Sequence, residues 1–252
     1  MLTIATCNGR TFEISGEHAM EAASSKIFIE WVHRLESCFT IHEIEFQSVD
    51  FARNDPTRIF FIKFKANITS ESLAPVLHGI VFLRGGAVSI MPVLRCIEDG
   101  NLYTVLTNQP RPATGRRWFP EVPAGMLDES GNFAGVAARE LEEELGFIID
   151  PKELVDLGAV FDRPWPGMFP SPGACEEFIR LFFFERDITR AELEKFRGRQ
   201  TGLREEGEFI MLSVIRLEDL PRTTPDGKSL ASFGLYLARY LKSKGRPLFG
   251  SD

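Results

Sequence analysis

Residues 139–147 read "RELEEELGF". Four of the nine are glutamates, at positions 140, 142, 143 and 144. On a helix, at about 100° per residue, Glu143 and Glu144 fall about −60° and +40° from Glu140, on one face. Glu142 points the opposite way. Ala134, Ala138, Leu141 and Leu145 form a separate apolar stripe suited to packing on a sheet. Gly146 stands where a helix-ending glycine belongs. Like charges at this spacing repel by roughly 0.2–0.5 kcal/mol per pair. An acidic helix face is ordinarily just a solvated face. Here "PAGMLDES" (123–130) precedes it and supplies a tight turn whose carbonyls face the same place. Hard divalent cations such as Mg²⁺ take oxygen ligands and leave positions open for substrate phosphates. An ion in this place makes the crowding useful.

The flanking sequence predicts a mixed sheet with helices on its faces. Upstream, "HAMEAASSKIFIEWVHRLESC" (18–38) spaces Ile27, Trp31, Val32 and Leu35 as one amphipathic helix. "HEIEFQSVDF" (42–51) and "RIFFIKFKANI" (58–68) read as strands, and 79–96 as two strands broken at Gly85-Gly86. A strand at 102–107, a Pro/Arg/Gly loop at 108–117 and "FPEVPAG" (119–125) lead into the glutamate helix. Beyond it, strands are expected at 157–161, 177–185 and 208–217, a short helix near 190–197, and a terminal helix at 229–242. A boundary near residue 80 separates an N-terminal β-rich part (1–80) with one helix from a larger domain (81–248).

The 252 residues suffice for a proper core, and 22 phenylalanines argue for packed sheet. A net charge of −7 disfavours a general nucleic-acid binder, which would carry a basic face. Cys7, Cys38, Cys96 and Cys175 are far apart with no CxxC pair, and the four histidines are scattered. Neither a disulfide framework nor a zinc site is expected, and a reducing cytosol is the expected compartment. No signal peptide or bilayer-length apolar run is read, so no membrane partner is expected. A missing targeting extension would place the protein in an organelle instead.

Gly125, then thirteen residues, then Arg139-Glu140-Leu141-Glu142-Glu143-Glu144-Leu145-Gly146-Phe147 resembles the Nudix box. One position departs: Gly131 stands where the box has its first glutamate. In that family this glutamate supports the loop–helix junction, a role that passes to Asp128 or Glu129 or is lost. "FPSPGACEEFIRLFFF" (169–184), "GLREEGEFIMLSVI" (202–215), "LTNQPRPATG" and "SFGLYLARYL" are similar to plant-type ADP-sugar pyrophosphatases, over nearly the whole chain. The resemblance implies an α+β architecture. A Nudix fold, an α/β/α sandwich with a mixed sheet, follows a small β-rich subdomain whose strands serve a homodimer.

The same resemblance assigns roles. Glu140, Glu144, Glu208 and the carbonyl of Ala124 would hold Mg²⁺, or Mn²⁺, with Glu143 a ligand or the partner of a metal-bound water. Glu206 would be the general base, with Glu205 its rival because the alignment can slip by one residue. Arg111 would contact the diphosphate; Glu121, Ser171 and Gly173 join it on the substrate side. Arg116 and Arg117 are weaker candidates, and Arg139 fits a structural ion pair better. Trp118, Phe119, Trp165 and Phe169 could stack on a base, although aromatics beside prolines more often pack. The reaction implied is hydrolysis of an ADP-sugar, ADP-ribose or ADP-glucose, to AMP and a sugar phosphate. Cations would neutralise the phosphate oxygens and acidify the attacking water, and a glutamate would remove its proton. A UDP-sugar diphosphatase and a non-catalytic nucleotide-sugar sensor are the alternatives.

Overall fold

The computed structural model describes residues 3–52, 55–70, 73–127, 132–161, 165–202 and 208–245. The chain forms two compact units, Met1–Gly85 with Phe169–Phe178, and Gly86–Met168 with Ile179–Asp252.

The first unit opens with a hairpin, β1 (Thr3–Cys7) against β2 (Arg10–Ser15), which the strand assignments above do not include. Its two-residue turn is Asn8-Gly9, with φ of 52° and 70°. Asparagine and glycine tolerate that left-handed backbone, and the turn matches the twist of the strands. β2 runs parallel to β3 (Phe39–Ala52), which continues antiparallel into β4 (Asp55–Ser70) and β5 (Leu73–Leu83). The sheet order is β1-β2-β3-β4-β5.

Where the sequence predicts one helix there are two, α1 (Ala19–Ser24) and α2 (Lys26–Arg34). Ser25 breaks them with an extended backbone, ψ 146°. Its hydroxyl donates to Ala22 O (2.6 Å) and accepts from Phe28 N (3.4 Å), so it closes one helix and caps the next. Of the predicted stripe, Trp31 and Val32 are buried, whereas Ile27 is half-buried and Leu35 lies just past the end of α2. The centre of this core is Phe28. Its ring lies 5.2–6.1 Å from those of Phe12, Trp31, Phe46 and Phe64.

The second unit is built on β6 (Gly86–Cys96) and β7 (Leu102–Arg111). β8 (Arg116–Glu121) pairs with β7, and β9 (Ala124–Met126) with β6. Then come α3 (Phe133–Leu145), β10 (Val155–Asp156), β11 (Phe178–Ile188), α4 (Arg190–Glu194), β12 (Gln200–Thr201) and β13 (Ile210–Arg216). Helices α5 (Leu220–Thr223) and α6 (Gly227–Ser243) complete the order. The sheet runs β10-β11-β6-β7-β13-β12.

β6 is buried along nearly its whole length, as a strand covered on both faces must be. Val88, Ile90 and Leu94 share one core with Val136, Ala137, Leu141 and Leu145 of α3. Ala87, Met91 and Val93 share the other with Leu217, Leu220 and Tyr236. This is a mixed sheet between helical layers, the α+β architecture expected. The predicted strand at 157–161 is not formed. Asp156 Oδ1 accepts from Gly158 N (2.8 Å) and Ala159 N (3.2 Å), which turns the chain into a short 3₁₀ segment, Ala159–Phe161.

Candidate active site

α3 forms because both of its ends are closed. Asn132 accepts from Gly135 N (3.0 Å) at the start. At the other end Gly146, with φ 73°, donates to Glu142 O (2.9 Å), and Phe147 N donates to Leu141 O (3.1 Å). Arg199 Nη1 reaches Leu145 O (3.4 Å), a cation at the negative end of the helix. The buried stripe is Val136, Ala137, Leu141, Glu144 and Leu145. Ala134 and Ala138, placed in the stripe by the sequence, are only half-buried.

The glutamates therefore divide by environment. Glu142 and Glu143 are exposed, Glu140 is half-buried, and Glu144 is 5% exposed. β9 lies beside them, paired with β6 through Val88↔Gly125 and Ser89↔Ala124. A Cβ at Gly125 would stand 1.8 Å from Glu140 Oε1, so the carboxylate rests on the strand at a point only glycine allows. That approach is why the box begins with this glycine.

Burial pushes Glu140 up to about 7, helped by the charges of Glu143 and Glu208 and opposed by Arg139. Glu144 is pushed well above the usual carboxylate range, first by burial, then by Glu140, Glu121 and Glu208, and the Ala124 backbone N–H opposes the shift. Its Oε2 is buried with no hydrogen-bond partner. Native proteins rarely leave such an atom unpaired, because it costs about 1–3 kcal/mol.

Beside this group lies a second one. Glu121, 2% exposed at the end of β8, accepts from Arg111 Nε (2.6 Å) on one oxygen and from Lys228 Nζ on the other. Lys228 also donates to Asp226 Oδ1 (3.1 Å). Arg111 and Glu121 were expected from the sequence; Lys228 and Asp226 were not. The available signal was a lysine in the first turn of the predicted terminal helix, where the helix dipole disfavours a cation unless a carboxylate answers it.

The structure thus brings together Ala124, Glu140, Glu144 and Glu208 on one side and Arg111 and Glu121 on the other, with Glu143 close enough to act on Glu140. Ser171 and Gly173 belong to the first unit. There Ser171 O accepts from Cys175 N (2.9 Å), and the chain pairs with β5 through Phe82 N to Ala174 O (2.7 Å). The acids that follow hold this segment: Glu176 takes Arg34 and Gly85 N (3.0 Å), and Glu177 lies 3.1 Å from Arg84. Of the aromatic candidates, Trp118, Trp165 and Phe169 are exposed, and Phe119 is half-buried. Asp128, Glu129, Gly131, Glu205 and Glu206 lie outside the described residues.

The acids gather where one helix meets a short strand, on a fold in which helices cover both faces of a sheet. The solved structure titled "Crystal structure of ADP compounds hydrolase" shares that fold, at a TM-score of 0.53 and 16% identity, covering 85% of this chain and all of that one. The NUDIX domain profile matches residues 87–233, and the chain belongs to this family. It is 40% identical to "Nudix hydrolase 14, chloroplastic" of Arabidopsis thaliana over 90% of this chain and 74% of that protein. It is 26% identical to the "ADP-ribose pyrophosphatase" of Bacillus subtilis (strain 168), over 63% of this chain and 73% of that protein.

Nudix hydrolases generally use a divalent metal such as Mg²⁺. Among the described residues, no three acidic, thiol or imidazole groups form a ready-made cage for an ion. Mg²⁺ commonly needs only one or two carboxylates and takes its other ligands from water and substrate phosphate. The orphaned Glu144 oxygen, the coupled Glu140 and the oxygen-only donor set fit that description. Among the described residues no helix is long and apolar enough to cross a membrane.

Proposed function

We propose that this chain is a divalent-metal-dependent diphosphatase that hydrolyses ADP-sugars, ADP-ribose and ADP-glucose, to AMP and a sugar phosphate. The observation that carries the reading is the buried, unpartnered oxygen of Glu144, set among the charges of Glu140, Glu121 and Glu208. Such a concentration of negative charge is stable only with protons or cations in it. The names of the ADP-ribose pyrophosphatases among its relatives support the substrate class.

Glu140, Glu144, Glu208 and the Ala124 carbonyl would hold Mg²⁺ or Mn²⁺. A bound cation supplies neutralisation of the phosphate oxygens and eases deprotonation of water. Arg111, held by Glu121, binds and orients the diphosphate, contacting it alike in the bound substrate and as the bond breaks. Glu143 keeps a water near Glu140, and Glu206 removes the proton from the attacking water. The assignment of Ser171 and Gly173 to the substrate rests on resemblance. The N-terminal residues 1–80 serve a homodimer, and the name of the Arabidopsis relative supports an organelle over the cytosol.

The test is a panel of ADP-ribose, ADP-glucose and UDP-glucose with Mg²⁺ or Mn²⁺, with products identified by mass. AMP with a sugar phosphate is expected. UMP without AMP would make it a UDP-sugar enzyme, and tight ADP-ribose binding without turnover a sensor. Glu206→Gln should lower kcat by about 10²–10⁴-fold, the usual loss with a general base. Near-normal turnover by this variant moves the base to another residue, with Glu205 first in line.

A further inference from the structure

The six residues Thr224 to Ser229 grip one short stretch of β8 and its continuation at three successive positions. Thr224 Oγ1 donates to Pro120 O. Lys228 bonds the Glu121 side chain. Ser229 Oγ accepts from Val122 N (3.0 Å). Asp226 ties the three together. Its amide donates to Thr224 Oγ1 (2.9 Å), its Oδ1 accepts from Lys228, and its Oδ2 accepts from Ser229 N (3.0 Å).

Within this clamp the Lys228 side chain is 12% exposed and that of Glu121 is 3% exposed. Arg111, Glu121, Lys228 and Asp226 form, in that order, a chain of alternating sign in which each carboxylate meets a cation. Removing Lys228 would leave Glu121 underbalanced beside Glu144 and free its second oxygen to draw the Arg111 guanidinium out of place. A helix N-terminal turn is an unfavourable place for a lysine, so its position answers to the carboxylates and not to the helix.

We infer that Lys228 is a positioning residue for the diphosphate: bonded to Glu121, it fixes the carboxylate that holds Arg111 and offsets its charge next to Glu144. The inference rests on the diphosphatase reading above, in which Arg111 meets the diphosphate. Lys228 itself need not touch substrate.

The test compares wild type, K228M, K228R and R111M in saturating Mg²⁺, by ADP-ribose kinetics, by calorimetric binding of inorganic pyrophosphate, and by thermal melting. K228M should raise KM about tenfold with kcat changed less than about threefold, the mark of lost binding without lost chemistry. K228R should recover most of the loss. In an R111M background K228M should add less than about twofold, because the two act through one contact. A lower melting temperature with unchanged KM overturns the inference, as does a K228M effect that multiplies with R111M. If K228M does not fold, E121Q/K228M removes both charges together and must show the same raised KM. Should wild type cleave no ADP-sugar, the functional reading fails, and pyrophosphate decides the inference alone. Equal weakening by K228M and R111M then sustains it. Wild-type affinity in K228M, or no pyrophosphate binding by wild type, overturns it.

Discussion

Glu144 is a carboxyl group with apolar neighbours below it and three other carboxylates around it. Without a cation its charged form is costly, so its removal has opposite effects on stability and activity. Glu144→Gln keeps the shape and drops the charge. In metal-free buffer at pH 8 it should raise the melting temperature, by about 2–4 °C for each kcal/mol relieved in a chain of this size. The same variant should lose about 10²–10³-fold or more in kcat, as when an electrostatic contact to the reacting group is deleted. A calorimetric scan and a turnover assay on one preparation check both signs. Gly125 makes the complementary point. Its added Cβ would meet the Glu140 side chain at Oε1, Cδ and Cγ, not backbone. The fold can absorb Gly125→Ala by moving that carboxylate, and the function cannot. Its melting temperature should fall little, while the Mg²⁺ concentration for half-maximal activity rises about 10–100-fold, the usual cost of disturbing a ligand's placement. A Mg²⁺ titration unchanged from wild type would separate Glu140 from metal binding.

At the scale of elements, what was legible followed from period and punctuation. β6, β11, α3 and α6 carry strong apolar patterns, and Gly146 marks an end that the structure keeps. Three features defeated pattern reading. Ser25 interrupts an unbroken helical periodicity because its hydroxyl competes for the backbone at both sides of a joint. "LGAVF" is a short apolar run of the kind that forms strands, yet the Asp156 side chain folds it into a turn. The β1–β2 hairpin went unread despite Asn8-Gly9, the strongest short-range hairpin signal, because its strands are only five and six residues long. In the site, the box located Gly125, Glu140 and Glu144 from local spacing. Lys228 comes from more than a hundred residues downstream of Glu121, and only the packing of α6 brings them together. The sequence reading set no start for α3, which Asn132 caps with a side-chain bond that periodicity does not reveal. Asn132→Ala should therefore cost about 1 kcal/mol, read as a lower urea midpoint with an unchanged slope. A loss below about 0.3 kcal/mol, within the error of the extrapolation, would mean that the helix is set by its buried face alone.

For the molecule as a whole, these carboxyl groups couple stability to pH and metal. In the metal-free protein Glu140 holds its proton up to about 7, and burial beside other carboxylates also holds Glu144 well above the usual carboxylate range. In the unfolded chain a glutamate releases its proton near 4.3. Between those values the folded state binds more protons than the unfolded one, so raising the pH destabilises the fold. The contribution of Glu140 is present below about pH 4.3 and is lost as pH rises through about 7; that of Glu144 has the same sign. Carboxylates held low elsewhere, such as Glu98 and Glu192, act in the opposite sense at acid pH, so the pair must be isolated by difference. The E140Q/E144Q double variant provides that difference. Wild type minus variant, measured without metal from pH 5 to pH 8, should fall steadily. Saturating Mg²⁺ should reverse the trend, because the ion binds only the deprotonated groups and stabilises by about 2.7 kcal/mol at a hundred times its dissociation constant. Its effect on the melting temperature should be small at pH 5, large at pH 8 and absent from the variant. A Mg²⁺ effect of equal size at both pH values, or one retained by the variant, would place the ion away from Glu140 and Glu144.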